Sequence, residues 1–220
     1  MTASRRQVEL LEKNRPRQER AKRTYEAILA AAAELLVEVG IERISTNLIA
    51  ERAGITVPAL YRYFPNKYAV INALGAALMD LQNQVYQEWV ETYYVEGQPE
   101  RLMAHIYEIL RKTYDVTLEQ PGGLEISQSL RAVGPLQELR LTSHRMLAEQ
   151  LAPFLAELQQ QELNEDILME ARVTVDIGYS LVEMALEDSS LAPELALRQG
   201  AEMLAAAWRN NMPSPGRDPS

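Results

Sequence analysis

The sequence predicts an all-α protein, and three observations carry that prediction. Apolar residues recur at three- and four-residue spacing through most of the chain, the period of one helix face. No convincing stretch alternates apolar and polar residues as a half-buried strand would. Breaks fall at Gly97-Gln-Pro99, Pro121-Gly-Gly123, Gly134-Pro135 and Ser190-Leu-Ala-Pro193, and with them the chain divides into about nine helical segments. At 220 residues it is long enough for one small module and one larger core.

The elements follow in order. Residues 1–19 are polar and contain Arg5, Arg6, Lys13, Arg15 and Arg17, with Pro16 interrupting any helix, so a basic flexible arm is expected. Arg20, Lys22 and Arg23 carry the basic run into a first helix. There Tyr25, Ile28, Leu29, Ala32, Leu35, Leu36 and Val39 recur at helical spacing until Gly40. Between Ile44 and Lys67 lie two short helices and a tight turn. Ser45 is placed to cap the first, its hydroxyl accepting from the unpaired amides of the first turn. Leu48, Ile49 and Ala53 form that helix's apolar face. Gly54 sits where the chain reverses and a positive φ is useful. Thr56 is placed to cap the second helix, with Pro58 tolerated in its first turn. Leu60 and Phe64, four apart, hold it to the core. Val57, Pro58, Ala59 and Tyr61 are left on its outer, N-terminal face.

After Pro65 a long helix runs from Lys67 to about Tyr94, with Val70, Leu74, Leu78, Leu81, Val85, Trp89 and Tyr93 in one stripe. One helix is expected over Glu100–Leu118, a short one over Leu124–Val133, and a long one over Leu136–Gln160 that Pro153 is expected to kink. Asn164 opens a helix to about Glu187, and Pro193 one to about Asn210. The organisation expected is an arm over 1–19, a small domain over 20–66, a larger helical domain over 67–212, and a disordered tail rich in Pro, Gly and Ser over 213–220.

Two short helices joined by a tight turn make a helix-turn-helix, a shape that lays its second helix in the major groove of DNA. The net charge of −9 argues against this until its distribution is read. Residues 1–68 hold 12 basic against 8 acidic side chains, and the remainder holds 10 against 23. A basic end suits phosphate, and the acidic part is expected to face away from it. The arm fits a phosphate or minor-groove contact, or equally a solvated tail.

Catalytic chemistry finds little support. Cysteine is absent, the two histidines are far apart, and no GxxxxGK[ST], GxGxxG or GxSxG run occurs. His105 lies among charged residues as a solvated side chain, and His144 borders an apolar side as a structural one. No metal or cofactor is expected. No apolar run of about 18 residues and no signal-peptide pattern occur, so neither a membrane span nor export is expected, and a cytoplasmic location is.

Ser45, Ile49-Ala50, Ala53-Gly54, Leu60-Tyr61, Tyr63-Phe64 and Lys67, preceded by the helix from Tyr25 to Gly40, resemble the TetR-type (tetracycline-repressor-like) family of bacterial transcriptional regulators. The resemblance covers roughly residues 20–75 and is specific there, because many positions match together at fixed spacing. Beyond them it extends only to size and helical character. It implies a ligand-responsive regulator, most simply a repressor, that binds a palindromic double-stranded DNA operator as a homodimer. Its larger domain would bind a small-molecule effector and dimerise. Two alternatives are a DNA-binding dimer without an inducer and, further off, a helical enzyme. One departure is Val57-Pro58-Ala59, which offers no long polar side chain for reading a base.

The DNA-contacting candidates are Arg23, Ser45, Thr46, Asn47, Thr56, Val57, Pro58, Ala59, Tyr61, Arg62, Tyr63 and Lys67. Tyr61 and Lys67 can reach phosphate, with helix N-terminal amides at Thr46 and Lys67 helping. Ala59 and Val57 suit thymine methyls, Arg62 can point toward backbone, and Tyr63 also packs the domain.

The effector candidates are large or adaptable side chains on apolar faces: Trp89, Tyr93, Met103, Tyr107, Tyr114, Met146 and Tyr179. Glu183, at the border of such a face, joins them. For each, ordinary core or rim is the competing reading. They suggest a mainly apolar ligand. Small residues admit close helix packing, and this marks Ala171, Val175, Gly178, Val182 and Ala185, then Gly200, Met203 and Ala207, as a dimer seam of two helices per subunit. Close packing within one chain is the alternative.

Overall fold

A computed structural model describes residues 9–13 and 18–213; the expectations for the rest of the arm and for the tail lie outside these residues. Ten α-helices and no strand occur among the described residues. They are α1 Glu19–Arg43, α2 Thr46–Arg52, α3 Val57–Leu60, α4 Lys67–Tyr93, α5 Glu100–Ala104, α6 Ile106–Glu119, α7 Gly123–Ala132, α8 Gln137–Gln159, α9 Glu165–Glu187 and α10 Pro193–Asn210. None of the helices is long and apolar enough to cross a membrane.

The extra helix comes from His105, which divides the stretch expected as one. His105 leaves helical geometry at φ −117° and ψ 26°. Its carbonyl accepts from the Trp89 indole Nε1 at 2.6 Å, and its ring stacks on Tyr93 at 3.9 Å between centroids. A tertiary hydrogen bond and a stacked ring therefore hold the break, and His105 is not the solvated side chain expected. α8 runs on through Pro153. Inside α1, Gly40 takes φ 73° and ψ 170°, a conformation that glycine alone adopts without strain, and the last residues of α1 turn away from its axis.

The chain divides into two units. Of the described residues, the first comprises those up to Asp80 together with Thr117–Leu141, and the second Leu81–Val116 and those from Thr142 onward. The boundary expected at 66/67 is thus displaced into α4. The cause is burial: Ala69, Val70, Ile71, Leu74 and Leu78, from the first half of α4, join Ile28, Leu36, Ile49, Leu60 and Phe64 in the first unit's core. α7 supplies Ile126 and Leu130 to the same core. The second unit has its own core, with Trp89, Leu102, Leu110, Leu151, Leu155 and Trp208 among its buried members.

The arm also needs correction where it is described. Asn66 Nδ2 donates to the Glu9 carbonyl at 2.8 Å, the Lys13 amide donates to the Tyr63 carbonyl at 2.7 Å, and Leu10 packs on the first core. Glu9–Lys13 is a held strap rather than a flexible tail, because the end of the helix-turn-helix offers it a free carbonyl, an amide side chain and an apolar seat.

Candidate DNA-binding face and internal cavity

The helix-turn-helix forms from local signals. Ser45 is extended and its Oγ accepts from the Leu48 amide at 3.3 Å; Thr56 does the same for Ala59 at 3.3 Å. Each hydroxyl satisfies an amide that the first helical turn leaves open. Gly54 reverses the chain at φ 66°. α3 continues as hydrogen-bonded turns to Phe64, whose amide bonds the Leu60 carbonyl at 3.1 Å. Leu60 and Phe64 are wholly buried, and Tyr25 stacks on the Phe64 ring at 5.2 Å. Tyr25 also meets Tyr63 edge-on at 6.3 Å, so Tyr63 packs the domain.

The outer face carries the remaining candidates. Thr56, Pro58 and Arg62 are exposed, Val57 and Ala59 half-buried, and Tyr61 stands 41% exposed. Tyr61 Oη lies 3.1 Å from Thr46 Oγ1, a hydrogen bond that ties α3 to the first turn of α2. Asn47 and Arg23 are exposed, and Ser45 and Thr46 half-buried. Arg52, absent from the candidates, does not add free positive charge. It binds Glu34 at 3.0 Å and both oxygens of Glu38 at 2.8 and 2.6 Å, and this hydrogen bonding holds the Glu38 carboxyl below its ordinary range. As an exposed pair it orients α2 on α1 and adds little stability.

Lys67 requires correction. Its ammonium donates to the carbonyls of Ile41 and Ile44 at 2.9 and 3.0 Å, with that of Glu42 at 3.5 Å. The break at Gly40 leaves these carbonyls without helical partners, and the cation completes them. The side chain is therefore engaged by the chain itself and not held out for phosphate. Lys67→Met keeps the stem and removes the donors. It is expected to cost about 1–3 kcal/mol in thermal unfolding, the penalty for partly buried groups left unpaired. Weaker DNA binding at unchanged stability would restore the phosphate role.

The second unit holds a partly open cavity of about 90 Å³. Tyr86, Trp89, Tyr179 and Trp208 are its aromatic walls, and Leu110, Leu147, Leu151 and Val182 are among the aliphatic ones. No charged residue lines it. Burial pushes the Tyr86 and Tyr179 hydroxyls well above the usual tyrosine range, so both stay protonated. Behind Tyr179 the buried His144 ring stacks at 4.3 Å, with Nδ1 2.6 Å from Asp176 Oδ1. Arg172 Nε closes on the same carboxylate at 2.8 Å, so the wall is braced by a polar chain.

Of the effector candidates, Trp89 and Tyr179 line this cavity. The others do not. Tyr93 is taken by His105. Tyr107 lies under the guanidinium of Arg198 from α10 at 5.0 Å, and Tyr114 under that of Arg111, three residues back on its own helix, at 5.3 Å, each an attraction of a cation to a ring face. Met103 packs against the second core away from the cavity, Met146 is exposed, and Glu183 is half-buried outside the lining. Reasoning from sequence missed Tyr86, although Gln82, Tyr86 and Trp89 share one helix face at spacings of four and three. It also missed Trp208, whose indole donates to Thr174 Oγ1 at 3.1 Å.

The dimer candidates are largely turned inward. Ala171, Val182 and Ala185 belong to the second core, Val175 and Gly178 line the cavity, and Gly200 faces Leu181 of α9 so closely that an added side chain would have to displace the leucine methyls. These small residues let α9 and α10 pack within one chain. Met203, at 73% exposure, and Ala207 are outside. Beside them the outer face of α9 presents Met169, Val173, Ile177 and Met184, and α10 presents Leu195.

Residues 28–74 match the family described as bacterial regulatory proteins, tetR family. The tetracycline repressor protein class C of Escherichia coli is 43% identical over 58 residues, 26% of either chain. The match thus spans about a quarter of that relative's length. A similar helical fold occurs in solved structures. A transcriptional regulator of the TetR/AcrR family from Thermobifida fusca superposes with a TM-score of 0.60 at 21% identity, covering 86% of this chain and 97% of the other. A SmeT–triclosan complex gives 0.56 at 22%, covering 84% and 90%. Over residues 28–74 the chain is similar to the TetR family of bacterial regulatory proteins.

Proposed function

We propose that this protein is a DNA-binding transcriptional repressor, acting in the cytoplasm as a homodimer on a palindromic operator and released by a small, mainly apolar molecule. The observation that carries the reading is the outer face of α3: a capped helix end offering Pro58, Ala59 and Tyr61 to solvent over a fully buried anchor. Two such faces related by a two-fold axis read two half-sites. The first turn has no long polar side chain apart from Tyr61, so base reading rests on methyl contacts and on shape as well as on hydrogen bonds. The exposed apolar faces of α9 and α10, not the inward small residues, form the proposed dimer seam. The cavity takes the effector, and the SmeT–triclosan complex supports an apolar molecule in a protein of this fold. α4, whose two halves belong to the two units, is the continuous element through which differential affinity for two states would act.

Genomic fragments captured by the full-length protein and sequenced test the reading directly. A shared palindromic sequence is expected, and its absence counts against it. Affinity for that site should fall by roughly 10³-fold or more between about 50 and 200 mM salt if six or more phosphates are contacted, despite the acidic net charge. Tyr61→Ala should then lose about 1–3 kcal/mol of binding with the fold intact. A large fall in melting temperature would instead make Tyr61 part of the core.

A further inference from the structure

We infer that Glu9–Lys13 is a positioning segment for the DNA-binding face. Through hydrogen bonds and packing, not through its charge, it fixes the corner between α3 and α4 and so sets the direction in which Tyr61 is presented. The inference rests on the DNA-binding reading above.

α3 needs such support. It has four residues, and a helix that short is not stable by itself. The turns that follow it close on the Leu60 carbonyl through the Phe64 amide, and Pro65 has no amide with which to carry them on. The last carbonyls of those turns therefore need donors from elsewhere. Lys13 supplies one, its amide donating to the Tyr63 carbonyl at 2.7 Å. At the other end of the strap Asn66 Nδ2 donates to the Glu9 carbonyl at 2.8 Å. Glu9 thus sits at Asn66 and Lys13 at Tyr63, so the strap runs against the direction of the corner it spans. Between the two bonds Leu10 packs on the first core.

Asn66 ties this strap to α4. Its Oδ1 accepts from the Ala69 amide at 3.0 Å, in the first turn of that helix, while its Nδ2 holds Glu9. Tyr61 lies two residues before Tyr63, and its hydroxyl is bonded to Thr46 of α2. The face is therefore held by α2 on one side, by Leu60 and Phe64 beneath, and by the strap where the turns end. The bond from Lys13 comes from the main chain, so it does not depend on the charge of the side chain.

That distinction gives the test. Lys13→Ala removes the charge and keeps the amide, whereas Lys13→Pro removes both. Asn66→Ser keeps an oxygen able to cap α4 and loses the amide donor to Glu9. Full-length variants are compared on a synthetic duplex carrying the sequence that the wild type captures, over a series of salt concentrations and well below the melting temperature of each. Lys13→Ala should bind like the wild type. Lys13→Pro and Asn66→Ser should each bind about fivefold more weakly, the effect of one hydrogen bond, with the dependence on salt unchanged. Hydrogen exchange at the Tyr63 and Phe64 amides should quicken by about fivefold in the same two variants and not in Lys13→Ala. Equal weakening by alanine and proline, with the salt slope lower by about one, makes Lys13 a phosphate contact and overturns the inference. Unchanged affinity in Lys13→Pro and Asn66→Ser, whatever their stability, also overturns it and leaves the strap as packing alone. Should Lys13→Pro fail to fold, Asn66→Ser carries the comparison. A wild type that captures no shared sequence refutes the DNA-binding reading. Exchange then decides the strap by itself, and unchanged rates refute it.

Discussion

Phe64→Ala is expected to destabilise the helix-turn-helix unit by about 3–5 kcal/mol, the cost of removing a large ring from a packed interior. The ring is wholly buried and stacked by Tyr25, and its amide closes the last turn after α3. It is joined to the start of α4 through Pro65 and Asn66, and Asn66 Oδ1 accepts from the Ala69 amide at 3.0 Å. The ring therefore holds both α3 and the entry to the long helix α4. Denaturant unfolding followed by helical signal measures the loss, and DNA binding should disappear with it. A change under about 1 kcal/mol would mean that the neighbouring side chains close over the gap, and that Leu60 alone anchors α3.

Ile177→Asp is expected to convert the proposed dimer to a monomer that is still folded. Ile177 is exposed in the single chain, so the substitution disturbs no core. In a two-fold seam it appears twice, and each copy buries a carboxylate without a partner, at about 3–5 kcal/mol apiece. That exceeds what a standard interface tolerates, and operator affinity should collapse because one half-site remains per protein. Sedimentation at micromolar concentration decides it: a variant that stays dimeric places the seam elsewhere. Gly178→Leu is the contrasting case. Its side chain enters the cavity, 3.5 Å from Leu110, so association should persist.

Much of the helix-turn-helix was legible in the sequence, because its determinants are short in range. Ser45 and Thr56 each cap a helix three residues ahead, Gly54 supplies its own backbone conformation, and Leu60 and Phe64 lie one turn apart. Side chains acting at long range were misjudged for the opposite reason. Lys67 finds its carbonyls 23 to 26 residues back along the chain, and nothing near it in sequence announces that they are unpaired. Tyr107 shows an apolar face by spacing, yet Arg198 of α10 covers its ring.

The sequence by itself determined that the chain is helical, where most helices end, and that Ile44–Lys67 forms a helix-turn-helix, since periodicity, capping and glycine conformation act within a turn or two. Tertiary structure decided which apolar face of α9 turns inward. That helix is apolar on two sides, one with Ala171, Val175 and Val182 and the other with Met169, Val173 and Ile177. Periodicity defines both stripes equally well. The choice between them falls to α4, α6, α8 and α10, whose side chains meet only after folding and leave the space that Tyr86, Trp89, Tyr179 and Trp208 line.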